Sequence, residues 1–222
     1  MELKMMNRRD MCAALASVAA AIGPYLPAQA LAQARVPQAG KDYLRLDKTA
    51  PVEAEPGKVE VVEFFWYNCP HCNSFEPKLS SWLSKMPAHV SFRRLPVGFR
   101  PDFEPQQRLY YALEAMGLVE QLHGKIFAAI HGQRTNLNSA AAIADWVTQQ
   151  GVDRSKFTEQ FNSFSVATKV RRAIQLQNAY PVSGVPSLGV AGRFYTDAEL
   201  AGNMDRALNV VDHLVAEVRA GR

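Results

Sequence analysis

The chain has 222 residues, enough for one domain or for one domain carrying an insertion. Its apolar fraction is that of an ordinary globular protein, which excludes a chain too polar to build a core. A net charge of +4 without a Lys/Arg cluster gives no footprint for nucleic acid, so the basic residues read as solvated surface and no nucleic-acid partner is expected.

The N-terminus stands apart. Lys4, Arg8 and Arg9 precede an uncharged, Ala-rich stretch, Met11–Ala34, that is interrupted by Pro24 and Pro27. Ala28-Gln29-Ala30 and Ala32-Gln33-Ala34 both offer a small-x-small cleavage site. Residues 1–34 therefore read as a secretory signal peptide, leaving residues 35–222 as the mature domain. The alternative is a membrane anchor. The stretch is long enough for one, but alanine contributes little hydrophobic free energy and the prolines break the helix. Arg8-Arg9 leaves both the general and the twin-arginine export routes open. Cys12 falls inside the leader, so the mature chain keeps only Cys69 and Cys72 and has no framework of structural disulfides.

Tyr43–Leu46 reads as a short edge strand, and Pro51, Pro56 and Gly57 punctuate the approach to the first central strand, Lys58–Trp66. Val61, Val62, Phe64 and Phe65 put apolar side chains on both faces of that strand, which predicts burial on both sides. Glu60, near its start, is expected to be solvated. A helix follows Cys69, with Phe75, Leu79, Trp82, Leu83 and Met86 on one face, a bend expected at Pro77 and an end at Pro87. His89–Val97 reads as a second strand and Gly98–Pro105 as a loop.

From about 104 to 179 the pattern is helical throughout. Leu109, Leu113 and Met116 form one stripe, closed by Gly117; Val119, Leu122, Ile126 and Ile130 form another, closed by Gly132. A third helix, capped by Asn138 or Ser139, bears Ile143, Trp146 and Val147. A fourth is capped by Asp153, and a fifth is opened by Ser165. His123 and His131, eight positions apart, read as surface or packing residues rather than as metal ligands. Ser187–Val190 and Arg193–Tyr195 flank Ala191-Gly192 as a hairpin, and Met204, Leu208, Val211, Val215 and Val218 define a last helix.

The chemistry concentrates at Cys69-Pro70-His71-Cys72. A C-x-x-C at a strand-to-helix junction is a redox signature. Cys69 falls at the helix N-cap and Pro70 in the first turn, where a missing N–H costs nothing. Free backbone N–H groups and the positive helix end favour a thiolate at Cys69, and His71 adds a potential cation. A zinc or copper module is the poorer reading, since Cys69, Cys72 and His71 supply only three soft ligands; no metal is expected. Glu63, a carboxylate inside a buried strand, is costly unless protonated or paired. It reads as a structural acid paired with a lysine or facing a small water cavity, or as a proton acceptor for Cys72.

Glu63-Phe64-Phe65, Cys69-Pro70-His71-Cys72, Phe75-Glu76-Pro77 and, far downstream, Gly184-Val185-Pro186 keep the order of a known family. From about Gly40 onward the chain resembles the DsbA family of bacterial periplasmic thiol–disulfide oxidoreductases. Asn73 departs from the family, where an aromatic residue often follows the second cysteine. The resemblance strengthens an α/β reading that the element order already gives, a thioredoxin-like core with an all-helical insertion. It implies that Cys69 and Cys72 form the redox-active disulfide, and that Glu63 serves in proton transfer. Pro70 and a cis Val185-Pro186 bond would form the surface that receives substrate. It further implies disulfide donation in the periplasm to unfolded exported polypeptides with free thiols, recharging by a quinone-linked membrane partner of the DsbB type, a monomer, and no cofactor. The rival readings are a periplasmic reductant or disulfide isomerase, and a peptide-binding chaperone without redox turnover.

Overall fold

A computed structural model describes residues 35–222, of which Pro37–Arg222 form one compact unit. The stretch read as a signal peptide lies outside the described residues.

The apolar run Val59–Phe65 forms β2, and all seven of its residues are buried. Helix α1 (Pro70–Leu83) carries the chain over to β3 (Val90–Pro96), which pairs with β2 in parallel. Parallel pairing needs a crossover of that kind. The hairpin of β4 (Ser187–Val190) and β5 (Phe194–Asp197) joins the other side of β2 in antiparallel fashion, and β1 (Leu44–Arg45) closes the edge beyond β5. The order is β1-β5-β4-β2-β3.

Alternation along β2 sorts its side chains to two cores. Val59 and Val61 pack with Phe75 and Leu79 of α1 and with Leu208 and Val211 of the C-terminal helix α8 (Met204–Arg219). Val62 and Phe64 pack on the opposite face with Leu95, Tyr180 and the helical block. That block comprises α2 (Glu104–Ala115), α3 (Val119–Phe127), α4 (Ala140–Gln149), α5 (Arg154–Asn162) and α6 (Phe164–Ala179). The expected α/β architecture, a thioredoxin-like core bearing a helical insertion, is what the chain adopts.

Several local expectations are corrected. Helix α1 stops at Leu83, so Met86 lies past its end. Ser163, not Ser165, caps α6, accepting a hydrogen bond from Val166 N at 3.1 Å. The second helical stripe does not stay α-helical to Gly132: after Phe127 it widens into a π turn, Ala128–Gly132. A 3-10 turn, Pro101–Phe103, fills part of the expected loop, and a short helix, α7 (Ala198–Ala201), follows β5 on an Asp197 cap. Glu60 is buried rather than solvated. Its carboxylate takes a bond from Arg93 Nε at 3.0 Å and one from Glu53 N at 2.9 Å, partners that strand pairing and the preceding loop bring to it.

Gly189 carries a constraint of the opposite kind. A Cβ there would stand 2.4 Å from a ring carbon of Tyr180, whose hydroxyl accepts from Gly192 N at 2.9 Å. Gly189→Ala is therefore expected to lower stability by about 1–3 kcal/mol, the usual cost of overpacking a rigid core. Chemical denaturation measures it, and an unchanged midpoint would show that the Tyr180 ring yields freely.

Candidate active site

Cys69 stands at the N-cap of α1 with extended backbone (φ −79°, ψ 117°), and Pro70 opens the helix. Cys69 N donates to Trp66 O at 3.0 Å, and Asn73 N returns a bond to Cys69 O at 3.1 Å, so the turn is fixed on both sides of the sulfur. No side chain caps this helix end, leaving its first N–H groups free to face the Cys69 sulfur. Both Cys69 and Cys72 are in the dithiol state; both are buried, Cys72 fully and Cys69 with 7% of its surface exposed.

The two thiols are driven apart. A hydrogen bond from the Cys72 thiol, the backbone N–H groups of Cys72 and His71, and the His71 imidazole bring Cys69 down to about 6, against the opposing effect of burial. Burial, followed by the hydrogen bond given to Cys69, pushes Cys72 far up. One sulfur is thus a ready anion at neutral pH and the other a protonated donor to it, an asymmetry suited to directional disulfide exchange.

Opposite the dithiol, the Val185-Pro186 bond is cis and Val185 O lies 3.3 Å from Cys69 Sγ, accepting from the thiol. Beside this contact a groove of about 460 Å³ is lined by His71, Phe75, Gly184, Val185, Pro186 and Met204. The sequence-predicted residues Cys69, Pro70, His71, Cys72, Val185 and Pro186 therefore meet at one place, although more than 100 positions separate the two segments (|i−j| = 116 for Cys69 and Val185).

Glu63 is fully buried in β2, and its ionised form would push the Cys72 thiol further up. Its neighbour is an arginine rather than a lysine. Arg94, directly across the β2–β3 pairing, places Nε 3.1 Å from Glu63 Oε2, but the angle is too poor for a hydrogen bond and both Glu63 oxygens lack a hydrogen-bond partner. Burial, then the negative charge of Glu76, push Glu63 up to about 8 despite the pull of Arg94. Arg94 also pairs with Glu76 at 3.4 Å, and Glu76 with His123 Nε2 at 3.1 Å. Burial works against charge on Glu76, yet the His123 hydrogen bond and Arg94 outweigh it and hold the carboxyl below its ordinary value.

Sequence reasoning gave no role to Glu76, Arg94, Tyr67, His123 or His131. His123 Nδ1 lies 2.9 Å from the Tyr67 hydroxyl, and His131 Nε2, on the π turn, donates to Tyr67 O at 2.8 Å. Both histidines therefore grip a residue two positions before Cys69. Asn68 is held from the same side, accepting from Gln106 Nε2 at 2.8 Å and donating to Asn138 Oδ1 at 2.6 Å. The packing reading of His123 holds as far as it went, since its ring sits edge-on to Phe65 and Phe127. Among the described residues no group of three or more His, Cys, Asp or Glu is placed to hold a metal ion.

A thiol pair at the mouth of a strand–helix junction, faced by a cis-proline loop, defines a thioredoxin-fold thiol:disulfide exchange enzyme. Comparison with known proteins makes this more specific. The family model for the DSBA-like thioredoxin domain matches residues 60–209. The thiol:disulfide interchange protein DsbA of Burkholderia cepacia is 42% identical over 194 residues, covering 86% of this chain and 92% of the relative. DsbA of Pseudomonas aeruginosa is 40% identical over 189 residues, 85% of this chain and 89% of the relative. The crystal structure of P. aeruginosa DsbA superposes with a TM-score of 0.79 at 39% identity, over 83% of this chain and 95% of that one. That of the oxidoreductase DsbA from Xylella fastidiosa gives 0.78 at 29% identity, over 83% and 99%. The chain belongs to the DsbA family, and it is a protein thiol:disulfide oxidoreductase.

Proposed function

We propose that the Cys69–Cys72 pair, as a disulfide, oxidises dithiols in unfolded exported polypeptides in the periplasm. A substrate thiolate attacks Cys69 Sγ, the Cys69–Cys72 bond breaks, and Cys72 departs as a thiolate that takes a proton from Glu63. A second substrate thiolate then attacks the substrate sulfur of the mixed disulfide. Cys69 leaves as a stabilised thiolate, the substrate gains a disulfide, and the enzyme holds the two electrons as a dithiol. The observation that carries this direction is the depressed Cys69 thiol beside a buried Cys72: whatever stabilises the Cys69 anion stabilises the reduced enzyme against its disulfide.

Main-chain groups of the Val185-Pro186 loop suit an extended peptide of varied sequence, which supports broad substrate choice. His71 and Pro70 border the sulfur from the helix side. The remaining steps follow from kinship with the family: a leader that directs export from residues 1–34, action as a monomer, and recharging by a quinone-linked membrane partner of the DsbB type. Among the described residues no helix is long and apolar enough to cross a membrane.

Equilibration with glutathione tests the direction. The protein is expected to sit well on the oxidising side of thioredoxin, whose potential is about −270 mV. A value as low as thioredoxin's would favour the reductant reading and end the donor role.

A further inference from the structure

The buried charges do not stop at Glu63. They run in an unbroken chain from β2 into the helical insertion: Glu63 to Arg94 at 3.1 Å, Arg94 to Glu76 at 3.4 Å, Glu76 to His123 at 3.1 Å, and His123 to Tyr67 at 2.9 Å. Two carboxyls share one guanidinium, and only one of them has a further donor. We infer that His123 is a positioning residue for the exchange reaction: its Nε2–H holds Glu76 as the anion that Arg94 neutralises, which leaves Glu63 as the carboxyl that carries the proton exchanged with Cys72.

The hydrogen-bond inventory assigns the tautomer. An ionised Glu76 only accepts, so His123 Nε2 carries the proton. Burial keeps the imidazole neutral, which makes Nδ1 an acceptor, and the Tyr67 hydroxyl is the donor that meets it. Tyr67, fully buried and pushed well above its ordinary value first of all by burial, keeps its proton for that bond. His131 fixes the same tyrosine by its backbone carbonyl, so the tautomer is locked from the insertion side. The ionisable groups facing Glu63 are Glu76, Arg94, Cys72, Tyr67 and Tyr110; those facing His123 are Glu76, Arg94, Tyr67, Tyr110 and Glu120. With Glu76 anionic, Arg94 cationic and His123 neutral, uptake or release of a proton at Glu63 is the only change of charge that the cluster makes during a cycle. Removing the His123 donor weakens the anion at Glu76, moves the shared proton there, and releases Arg94 to Glu63.

This inference rests on Glu63 as the proton partner of Cys72, but its test does not. Carboxyl resonances of the full chain labelled with 13C at the glutamate side-chain carboxyl are followed against pH, with Glu63→Gln and Glu76→Gln supplying the assignments. In His123→Phe the Glu63 midpoint is expected to fall by about one unit or more and that of Glu76 to rise by a similar amount. His123→Gln, which can both donate to Glu76 and accept from Tyr67, is expected to restore the original midpoints. A Glu63 midpoint that stays put in a folded His123→Phe protein overturns the inference, because loss of packing alone lowers stability without moving a proton between carboxyls. If the Phe variant does not fold, Glu76→Gln decides: the Glu63 midpoint must drop, and no drop overturns the coupling. Where His123→Phe folds, adding it to Glu76→Gln must have no further effect on Glu63, and an equal second shift overturns the inference by showing that His123 acts by another path. Failure of Glu63 as the proton partner shows separately, as exchange kinetics unaffected by Glu63→Gln.

Discussion

Cys69→Ser is expected to abolish disulfide exchange, lowering the rate of dithiol-peptide oxidation by at least about 10³, to the uncatalysed level. Serine cannot form the mixed disulfide, and the other thiol among the described residues does not substitute, because Cys72 is fully buried and burial holds it protonated. The groove lined by Phe75, Val185, Pro186 and Met204 is untouched by the change, so binding of a reduced peptide is expected to persist. Following peptide oxidation by fluorescence and binding by calorimetry separates the readings. Turnover surviving in the serine variant would return the protein to the chaperone reading or to another nucleophile.

Glu63→Gln is expected to stabilise the protein in alkaline solution and to slow the step that moves a proton to or from Cys72. Burial pushes the carboxyl up to about 8 in the fold from an ordinary 4.5, so the folded state holds its proton more tightly. Stability from that proton is complete below the unfolded value and falls as pH rises through the interval up to the folded one. A neutral, nearly isosteric amide avoids that fall. The variant should therefore gain on the order of 2–4 kcal/mol over the parent near pH 8.5, and little or nothing at pH 4.5. Denaturant midpoints at the two pH values test this, and a gain independent of pH would show that Glu63 is ionised throughout. Loss of a general acid–base group typically costs about 10²–10⁴ in the step it serves, so reoxidation through a Cys69-linked mixed disulfide, in which Cys72 attacks, should slow over that range.

What the sequence could show was local. The C-x-x-C sits where β-branched and aromatic residues give way to helical spacing, and Pro70 marks the first turn, so the helix and its reactive end follow from neighbouring residues alone. Helix stops at Gly117 and Gly132 and caps at Ser139 and Asp153 were legible for the same reason. The site's electrostatic half was not. Glu63 meets Arg94 only because β2 and β3 pair in one register, and neither strand states its partner's phase. Glu60 drew the wrong expectation on the same ground: Arg93, which neutralises it, lies across the same strand pairing. His123 and His131 reach Tyr67 only after the insertion docks and the helix widens at Ala128, a change that periodicity does not announce. Glu76 was visible as a motif residue, but a carboxylate in the second turn of a helix has no evident task until Arg94 and His123 are brought to it.

The direction of exchange turns on the charge of one sulfur. In a folded reduced protein the Cys69 thiol is held at about 6 against an ordinary 9.0, so its anion adds stability that is present above the ordinary value and is lost as pH falls through about 6. Thiolate absorbance during a pH titration of the reduced enzyme, with Cys69→Ser as the blank, reads this directly. A midpoint near 6 is expected; a midpoint near the free-thiol value of about 8.5 would contradict a disulfide made oxidising by its own leaving group.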